Sequence, residues 1–299
     1  MNKLCLLLLG LSLPAVAADW PQFLGPTADG VSTETGLIDA FPKGGPKPLF
    51  AKRIGTGYAA PSIRDGKAVV FHRASKLYKV EEGDNFETVV KYVNAELAAL
   101  KAKERLTVEG LQKSLKDTTR RVPRGYIPLP EAVAKHLDVE VIDCLDAKTG
   151  NLIWRHAYPT GYEDPYGYNN GPRCAPLITK DRIYTYGAEG VLICLDFATG
   201  KQLWRRDTHK DFTVIPNFFG VGSTPVLEDG LLLTMVGGQP NSGMVAFDAK
   251  TGKTVWTSTG KQTWDGTAKI SWPGEPRMIW RGQEKMASYA SPVLATVHG

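Results

Sequence analysis

The chain has 299 residues, 42% hydrophobic and 22% charged, an ordinary globular composition that excludes a disordered polymer, a collagen-like repeat and a multi-span membrane protein. Lysine and arginine total 36 against 31 aspartates and glutamates, and the resulting formal charge of +5 is spread along the chain, so nucleic acid is not an expected partner. The 31 glycines and 20 prolines suit tight turns between short strands and favour an all-β fold.

In chain order, Lys3, the apolar run Leu4 to Leu13 and Ala15-Val16-Ala17-Ala18 read as the positive start, core and cleavage site of a signal peptide. Residues 1–18 are therefore set aside, cleavage is placed near Ala17-Ala18, and the mature protein is expected to be periplasmic or secreted. No later apolar run approaches the roughly 20 residues of a spanning helix, and Cys5 lies too early to accept a lipid. Pro61 to Arg73 reads as the first strands of a sheet, with their continuation expected at Glu140 to Asp146. Between them, Ala74 to Asp138 has a different character. Phe86, Val89, Val90, Val93, Leu97 and Leu100 recur at helical spacing, Leu106 to Leu115 is a second helix, and Val122-Pro123 to Pro130 is a loop. Residues 74–138 thus read as a helical insertion, whose interleaved lysines and glutamates give it a solvated surface.

Beyond it, three segments align without gaps: Cys144 to Trp154, Cys194 to Trp204 and Ala246 to Trp256. Each carries an aspartate (Asp146, Asp196, Asp248), then a Thr-Gly pair (Thr149-Gly150, Thr199-Gly200, Thr251-Gly252), then a tryptophan (Trp154, Trp204, Trp256). The aspartates recur at 50 and then 52 residues. A second marker, Ala175-Pro176-Leu177 and Thr224-Pro225-Val226, keeps step, and Ala60-Pro61-Ser62 and Ser291-Pro292-Val293 extend the series. Strand-rich runs such as Arg182 to Tyr186 and Leu231 to Val236 lie between. A period of this length with four short strands and one aromatic per unit describes a β-propeller blade. The aspartate accepts backbone hydrogen bonds across the turn between the third and fourth strands. The glycine supplies positive φ there, and the tryptophan points into the gap between neighbouring blades.

The repeated element resembles the tryptophan-docking repeat of the pyrroloquinoline-quinone (PQQ) propeller superfamily, which includes quinoprotein alcohol dehydrogenases and a non-enzymatic outer-membrane assembly scaffold lipoprotein. Asp19 to Pro26 with Gly30-Val31-Ser32, Gly55 to Tyr58, Phe71-His72-Arg73, Gly171-Pro172-Arg173 and Gly187 to Gly190 are similar to exported bacterial PQQ-binding-like repeat proteins. The likeness covers most of residues 19–73 and 139–299, and implies a propeller of four-stranded blades over 19–299. Removing the signal and the 65-residue insertion leaves 216 residues, about four blades at about 50 residues each. Rings of this superfamily have seven or eight, so the resemblance implies an open arc of a C-terminally truncated chain. Gly45 to Phe50 resembles a Thr-Gly-x-x-x-Trp outer strand that would close the last blade of the full ring.

Propeller ligands bind on loops entering the innermost strands. The richest such loop here is Gly161 to Arg173, and Asp164, Tyr168, Asn169, Asn170 and Arg173 are its candidate binding residues. The Arg173 guanidinium would fork onto a carboxylate or quinone oxygen, or hold a neighbouring loop. For a dehydrogenase the resemblance implies PQQ stacked on a tryptophan, Ca²⁺ held by Glu, Asn and Asp oxygens, and in many members an adjacent-cysteine disulfide. After the signal only Cys144, Cys174 and Cys194 remain, with no adjacent pair. Glu163, Asp164, Asn169 and Asn170 match no metal-loop spacing, and Trp154, Trp204 and Trp256 belong to the repeat. His72, His136, His156, His209 and His298 show no metal spacing, and Gly220-x-Gly222-Ser223 simply precedes a strand. No catalytic residue, metal ligand or established cofactor is therefore assigned. The expectation is a non-catalytic binding or scaffold module taking a protein partner or small ligand at the propeller face. A PQQ-dependent dehydrogenase of alcohols or sugars, with PQQ and Ca²⁺, is the alternative. Tyr162, Tyr166 and Tyr168 suggest a third possibility, a carbohydrate-binding propeller. Fold alone does not choose.

Overall fold

A computed structural model describes residues 18–119, 122, 124–164, 167–214, 219–238, 241–258, 268–270, 278–280 and 289–295. Residues 1–17 of the segment read as a signal peptide, Pro123, Tyr166 and His298 lie outside the described residues.

Three four-stranded antiparallel sheets succeed one another. The first opens with β1 (Ser62–Arg64) and β2 (Lys67–Arg73). The chain then leaves for β3 (Leu77–Lys79), α1 (Phe86–Ala99), α2 (Val108–Asp117), β4 (Tyr126–Pro128) and α3 (Glu131–Ala134). It returns as β5 (Val139–Asp146) and β6 (Leu152–Pro159), giving the order β1-β2-β5-β6. β2 and β5 pair without a slip from Lys67↔Asp146 to Arg73↔Glu140, so the long excursion leaves the register untouched. The second sheet is β7 (Leu177–Ile178), β8 (Arg182–Tyr186), β9 (Val191–Asp196) and β10 (Gln202–Asp207), followed by the short α4 (Thr208–Asp211). The third is β11 (Val226–Glu228), β12 (Leu231–Gly238), β13 (Ser242–Asp248) and β14 (Thr254–Ser258). β15 (Ala268–Ile270) and β16 (Met278–Trp280) form a two-stranded pair.

Strand alternation explains why β9 is apolar throughout. Val191, Ile193 and Leu195 face a core shared with Val69, Phe71, Ile142 and Cys144 of the first sheet. Leu192 and Cys194 face a core shared with Leu232, Val236, Val245 and Phe247 of the third. A strand between two sheets buries both faces, so its sequence loses the polar alternation of a half-exposed strand.

Within 74–138, Asn85 accepts from the Thr88 N–H and Thr107 from the Gly110 N–H, which starts the two longer helices. Val89, Val93 and Leu97 lie on one face of α1 and pack with Leu111, Val133, Leu137 and Val141 of β5. This core covers the face of the first sheet that looks away from the second. The stretch read as a loop contains β4, which pairs with β3 from Leu77↔Pro128 to Lys79↔Tyr126. Three-residue strands, one ending in proline, are too short to carry a period-two signal.

The three repeat turns share one geometry. Asp146, Asp196 and Asp248 each accept at Oδ1 from the backbone N–H of Thr149, Thr199 or Thr251 at 2.8 Å, and from the same threonine's hydroxyl at 2.6–2.8 Å. The hydroxyl and backbone donors hold all three carboxyls below the ordinary aspartate range. Gly150, Gly200 and Gly252 follow at φ +71°. The Trp154 ring lies on Gly200 and its Nε1 donates to the Phe197 carbonyl at 3.1 Å. The Trp204 ring lies on Gly252, and its Nε1 donates to the Ala249 carbonyl at 3.0 Å. Trp256 is 37% exposed, with no fourth such turn among the described residues. Residues 45–50 form no strand, yet the Phe50 ring lies on Gly150 as the tryptophans lie on the other two glycines.

The N-terminal segment crosses the leading edges of the sheets. Trp20 exchanges both backbone hydrogen bonds with Ile63 at 2.9 Å, and the Pro21 carbonyl accepts from the Ile178 N–H at 2.8 Å. Gln22, Phe23 and Leu24 share a small cleft with Thr224, Pro225 and Pro292. Cys144, Cys174 and Cys194 are buried free thiols.

A pair of alanine variants separates the ring contact from backbone strain. Gly66 and Gly200 have φ +70° and +71°, but a Cβ on Gly66 meets nothing within 4 Å, whereas on Gly200 it falls 2.5 Å from the Trp154 ring. Gly66→Ala should cost about 1–2 kcal/mol of left-handed strain, and Gly200→Ala a further 1–3 kcal/mol or so of overpacking. Urea unfolding midpoints measure both, and equal losses would mean the ring does not rest on the turn.

Candidate functional site

The connection from the outermost strand of the first sheet, β6, to the leading strand of the second, β7, contains the loop singled out by composition. Arg73, the last residue of β2 and only 2% exposed, organises it. Its guanidinium donates to the carbonyls of Tyr162 and, at 3.0 Å, Asn170, and pairs with Asp138. Lys76 pairs with Glu163 and lies 3.9 Å from Asp138. Two stretches flanking the excursion, Arg73 to Lys76 and Asp138, thus grip the loop from one side.

Inside the loop the candidate residues come together and bind one another. The Asp164 N–H donates to Asn170 Oδ1 at 2.8 Å, the Asn169 N–H to Asp164 Oδ2 at 3.3 Å, and the Gly171 N–H to Asn169 Oδ1 at 2.8 Å. Arg173 donates to the carbonyls of Gly171 (2.8 Å) and Asn169 (2.9 Å) and to Asp164 Oδ2 (3.3 Å). Its guanidinium lies 5.2 Å from the Tyr162 ring centre and 5.8 Å from that of Tyr58. These bonds tie Arg173 to its own loop rather than to a neighbouring one. The backbone is also tightly seated, since a Cβ on Gly171 would fall 2.0 Å from the Thr56 carbonyl oxygen. Tyr168 stands apart, 69% exposed. Its ring centre is 6.1 Å from that of Phe219, which is 5.6 Å from that of Tyr289. The three rings come from the β6–β7 connection, the α4–β11 connection and the segment after β16, and form an aromatic row.

Two buried carboxylates behind the loop carry little sequence signal, because each sits in a run of strand residues. Glu140 accepts from the Tyr158 hydroxyl at 2.5 Å and from the Ala188 N–H at 2.8 Å. Burial pushes its carboxyl up, against those hydrogen bonds and Arg73. Asp143 belongs to a chain that ties the first sheet to α1. His72 accepts from the Gly55 N–H at Nδ1 and bonds Asp143 Oδ2 through Nε2, both at 3.2 Å. Arg155 donates to Asp143 at 2.6 and 2.7 Å and to Glu96 at 3.0 Å. Burial alone would raise the Asp143 carboxyl, but Arg155 and His72 hold it down at about 2. Glu189, within the Gly187 to Gly190 stretch, accepts from the Gly161 N–H at 2.8 Å and the Thr160 hydroxyl at 3.2 Å.

A calcium ion beside a quinone needs six to eight oxygens converging on one point. Here Glu163 pairs with Lys76, Asp164 with Arg173, and the side-chain oxygens of Asn169 and Asn170 are each taken by a loop N–H. As folded, this donor set does not fit such an ion. Among the described residues no group of three or more His, Cys, Asp or Glu is placed to hold a metal, and no helix is long and apolar enough to cross a membrane.

Arg73→Ala should leave Asp138 and two loop carbonyls without their guanidinium, costing about 1–3 kcal/mol for the lost charge-assisted hydrogen bonds, since Asp138 itself is partly exposed. Hydrogen exchange at the Asp164, Asn169 and Gly171 amides should accelerate, and unchanged protection would show that the loop holds itself. Asp143 has a folded-state value below its unfolded 3.8, so its contribution is present above about pH 4 and is lost as pH falls toward 2. Asp143→Asn should flatten the stability profile in that acid window and lower stability at neutral pH, as followed by thermal unfolding across pH.

Comparison with known proteins places this geometry in a lineage. The family profile described as outer membrane protein assembly factor BamB matches residues 138–295, just over half of the chain. The chain is 27% identical over 159 residues to quinohemoprotein alcohol dehydrogenase ADH-IIG of Pseudomonas putida, covering 49% of this chain and 21% of that protein. It is 26% identical over 128 residues to quinohemoprotein alcohol dehydrogenase of Comamonas testosteroni, covering 39% and 16%. The chain thus spans about a fifth or less of the length of these curated relatives. Among solved structures, BamB from Moraxella catarrhalis aligns at 22% identity over 41% of this chain and 33% of that one, with a TM-score of 0.27. The Comamonas testosteroni dehydrogenase aligns at 23% over 47% and 21%, with a TM-score of 0.30. With its repeated four-stranded antiparallel sheets and a family match over residues 138–295, the chain belongs to the outer membrane protein assembly factor BamB family of PQQ-like β-propeller repeat proteins.

Proposed function

We propose that this protein is an exported, non-catalytic binding or scaffold propeller that presents the connections between its sheets to a protein partner or small ligand. The observation that carries this reading is the state of the Gly161 to Arg173 loop. Asp164, Asn169, Asn170 and Arg173 direct the hydrogen bonds described above at their own loop, so these polar groups hold the loop's shape. The row Tyr168, Phe219 and Tyr289 offers the aromatic area that protein interfaces favour at their centres. In this reading Trp154, Trp204 and Trp256 are docking tryptophans that join repeat to repeat, residues 74–138 are an insertion in the first blade, and residues 1–18 direct export.

A second reading is favoured by the two curated relatives, which are quinohemoprotein alcohol dehydrogenases. In it the chain binds PQQ with Ca²⁺ and oxidises an alcohol or sugar, the quinone serving as two-electron acceptor. Titrating the purified chain with PQQ and Ca²⁺, while following cofactor absorbance and dye-linked alcohol oxidation, separates the two. The expected result is no saturable binding and no turnover by a folded protein. Saturable binding with turnover would overturn the scaffold reading.

A further inference from the structure

Between the stretch Arg53 to Gly57 and the segment that leaves the first sheet lies a cavity of about 380 Å³, bordered by α1, β3 and β4 and lined also by Tyr168 and Asn169. Its volume falls within the roughly 300–1,000 Å³ of small-molecule sites. One wall is built in advance. The Arg53 guanidinium lies 4.1 Å from the Tyr78 ring centre and 5.0 Å from that of Tyr92, and the two rings meet edge to face at 5.6 Å. Asp84 fixes this arrangement, accepting from Arg53 at 3.1 Å and from the Tyr78 hydroxyl at 2.9 Å.

The charges of that wall are spent internally. Arg53 is paired with Asp84, and Glu96 is paired with Arg155 at 3.0 Å. An ionic ligand at Arg53 or Glu96 would therefore compete with an existing pair, while Lys79 and Glu81, which also line the cavity, are exposed and solvated. The hydroxyls of Tyr92 and Tyr126 differ: both side chains line the cavity and neither makes a hydrogen bond among the described residues. A purely apolar occupant would leave both phenols unpaired on desolvation, which costs free energy. The occupant that fits is neutral, carries hydroxyls to meet these phenols and offers flat C–H faces to aromatic rings.

We propose that this cavity binds a neutral carbohydrate of one or two sugar rings, hydrogen-bonded by Tyr92 and Tyr126 and flanked by Tyr168, which also lines it. The inference rests on the reading of the protein as a binding module and names its ligand class.

Calorimetric titration of the full chain with glucose, galactose, N-acetylglucosamine, maltose and cellobiose tests it. At least one should bind saturably. Tyr92→Phe, which keeps the ring stack, should weaken that sugar by about fivefold or more, the loss of one hydrogen bond, at an unchanged melting temperature. Tyr168→Ala, at an exposed position, should weaken it as well. No binding of any sugar, or equal affinity in wild type and both variants, would overturn the proposal. Turnover with PQQ and Ca²⁺ would instead overturn the non-catalytic reading, whatever the sugars do. Absence of both sugar binding and turnover would remove the carbohydrate site and leave the scaffold reading standing.

Discussion

An indole resting on a glycine turn of the next sheet is the contact on which the rest of this structure depends. The turn works because three features coincide: a carboxylate that gathers the threonine's donors, a backbone at φ +71°, and no Cβ where the ring sits. Trp154 on Gly200 and Trp204 on Gly252 repeat the contact about fifty residues apart, so successive sheets meet at a constant offset. That offset brings the two faces of β9 against different neighbours, which makes the strand apolar along its whole length. Phe50 on Gly150 extends the series with a different ring, from a stretch that is not a strand. The geometry requires a flat apolar surface over the glycine and does not require that tryptophan supply it.

Much of the fold was readable because its determinants are local. The Asp, Thr and Gly of each turn lie within five residues, and the four-residue spacing of Val89, Val93 and Leu97 announces α1. The pairing of β2 with β5 was readable for another reason: Pro61 to Arg73 lacks the later strands of a blade and Glu140 to Asp146 lacks the earlier ones, and the two complete one four-stranded sheet. The β3–β4 pair escaped because three residues on each side cannot show a period. Gly45 to Phe50 looked like a strand because Phe50 occupies the ring position, while the backbone before it stays irregular.

The candidate site was readable as a place and not as an arrangement. Tyrosines, amides and acids crowded into Gly161 to Arg173 mark the loop, and Asp-Pro, Asn-Gly and Gly-Pro mark it as turning. What its side chains do is decided elsewhere: by Arg73, 97 residues before Asn170, and by Lys76, 87 before Glu163. Arg155 and Glu96 meet across 59 residues. The cavity near Tyr92 is likewise assembled from stretches far apart in the chain. No local pattern encodes such meetings, because they are consequences of register and packing.

The three buried cysteines carry a consequence for how the chain must mature. Burial pushes the Cys144 and Cys194 thiols up to about 11 and Cys174 higher still, so the folded protein presents almost no thiolate for disulfide exchange. Cys144 and Cys194, equivalent by repeat, also face different inter-sheet cores. A bridge between them is incompatible with the native sheets. In an oxidising compartment, miscoupling is therefore a hazard of the nascent chain alone, and the window for it closes as soon as the second sheet is sandwiched between its neighbours.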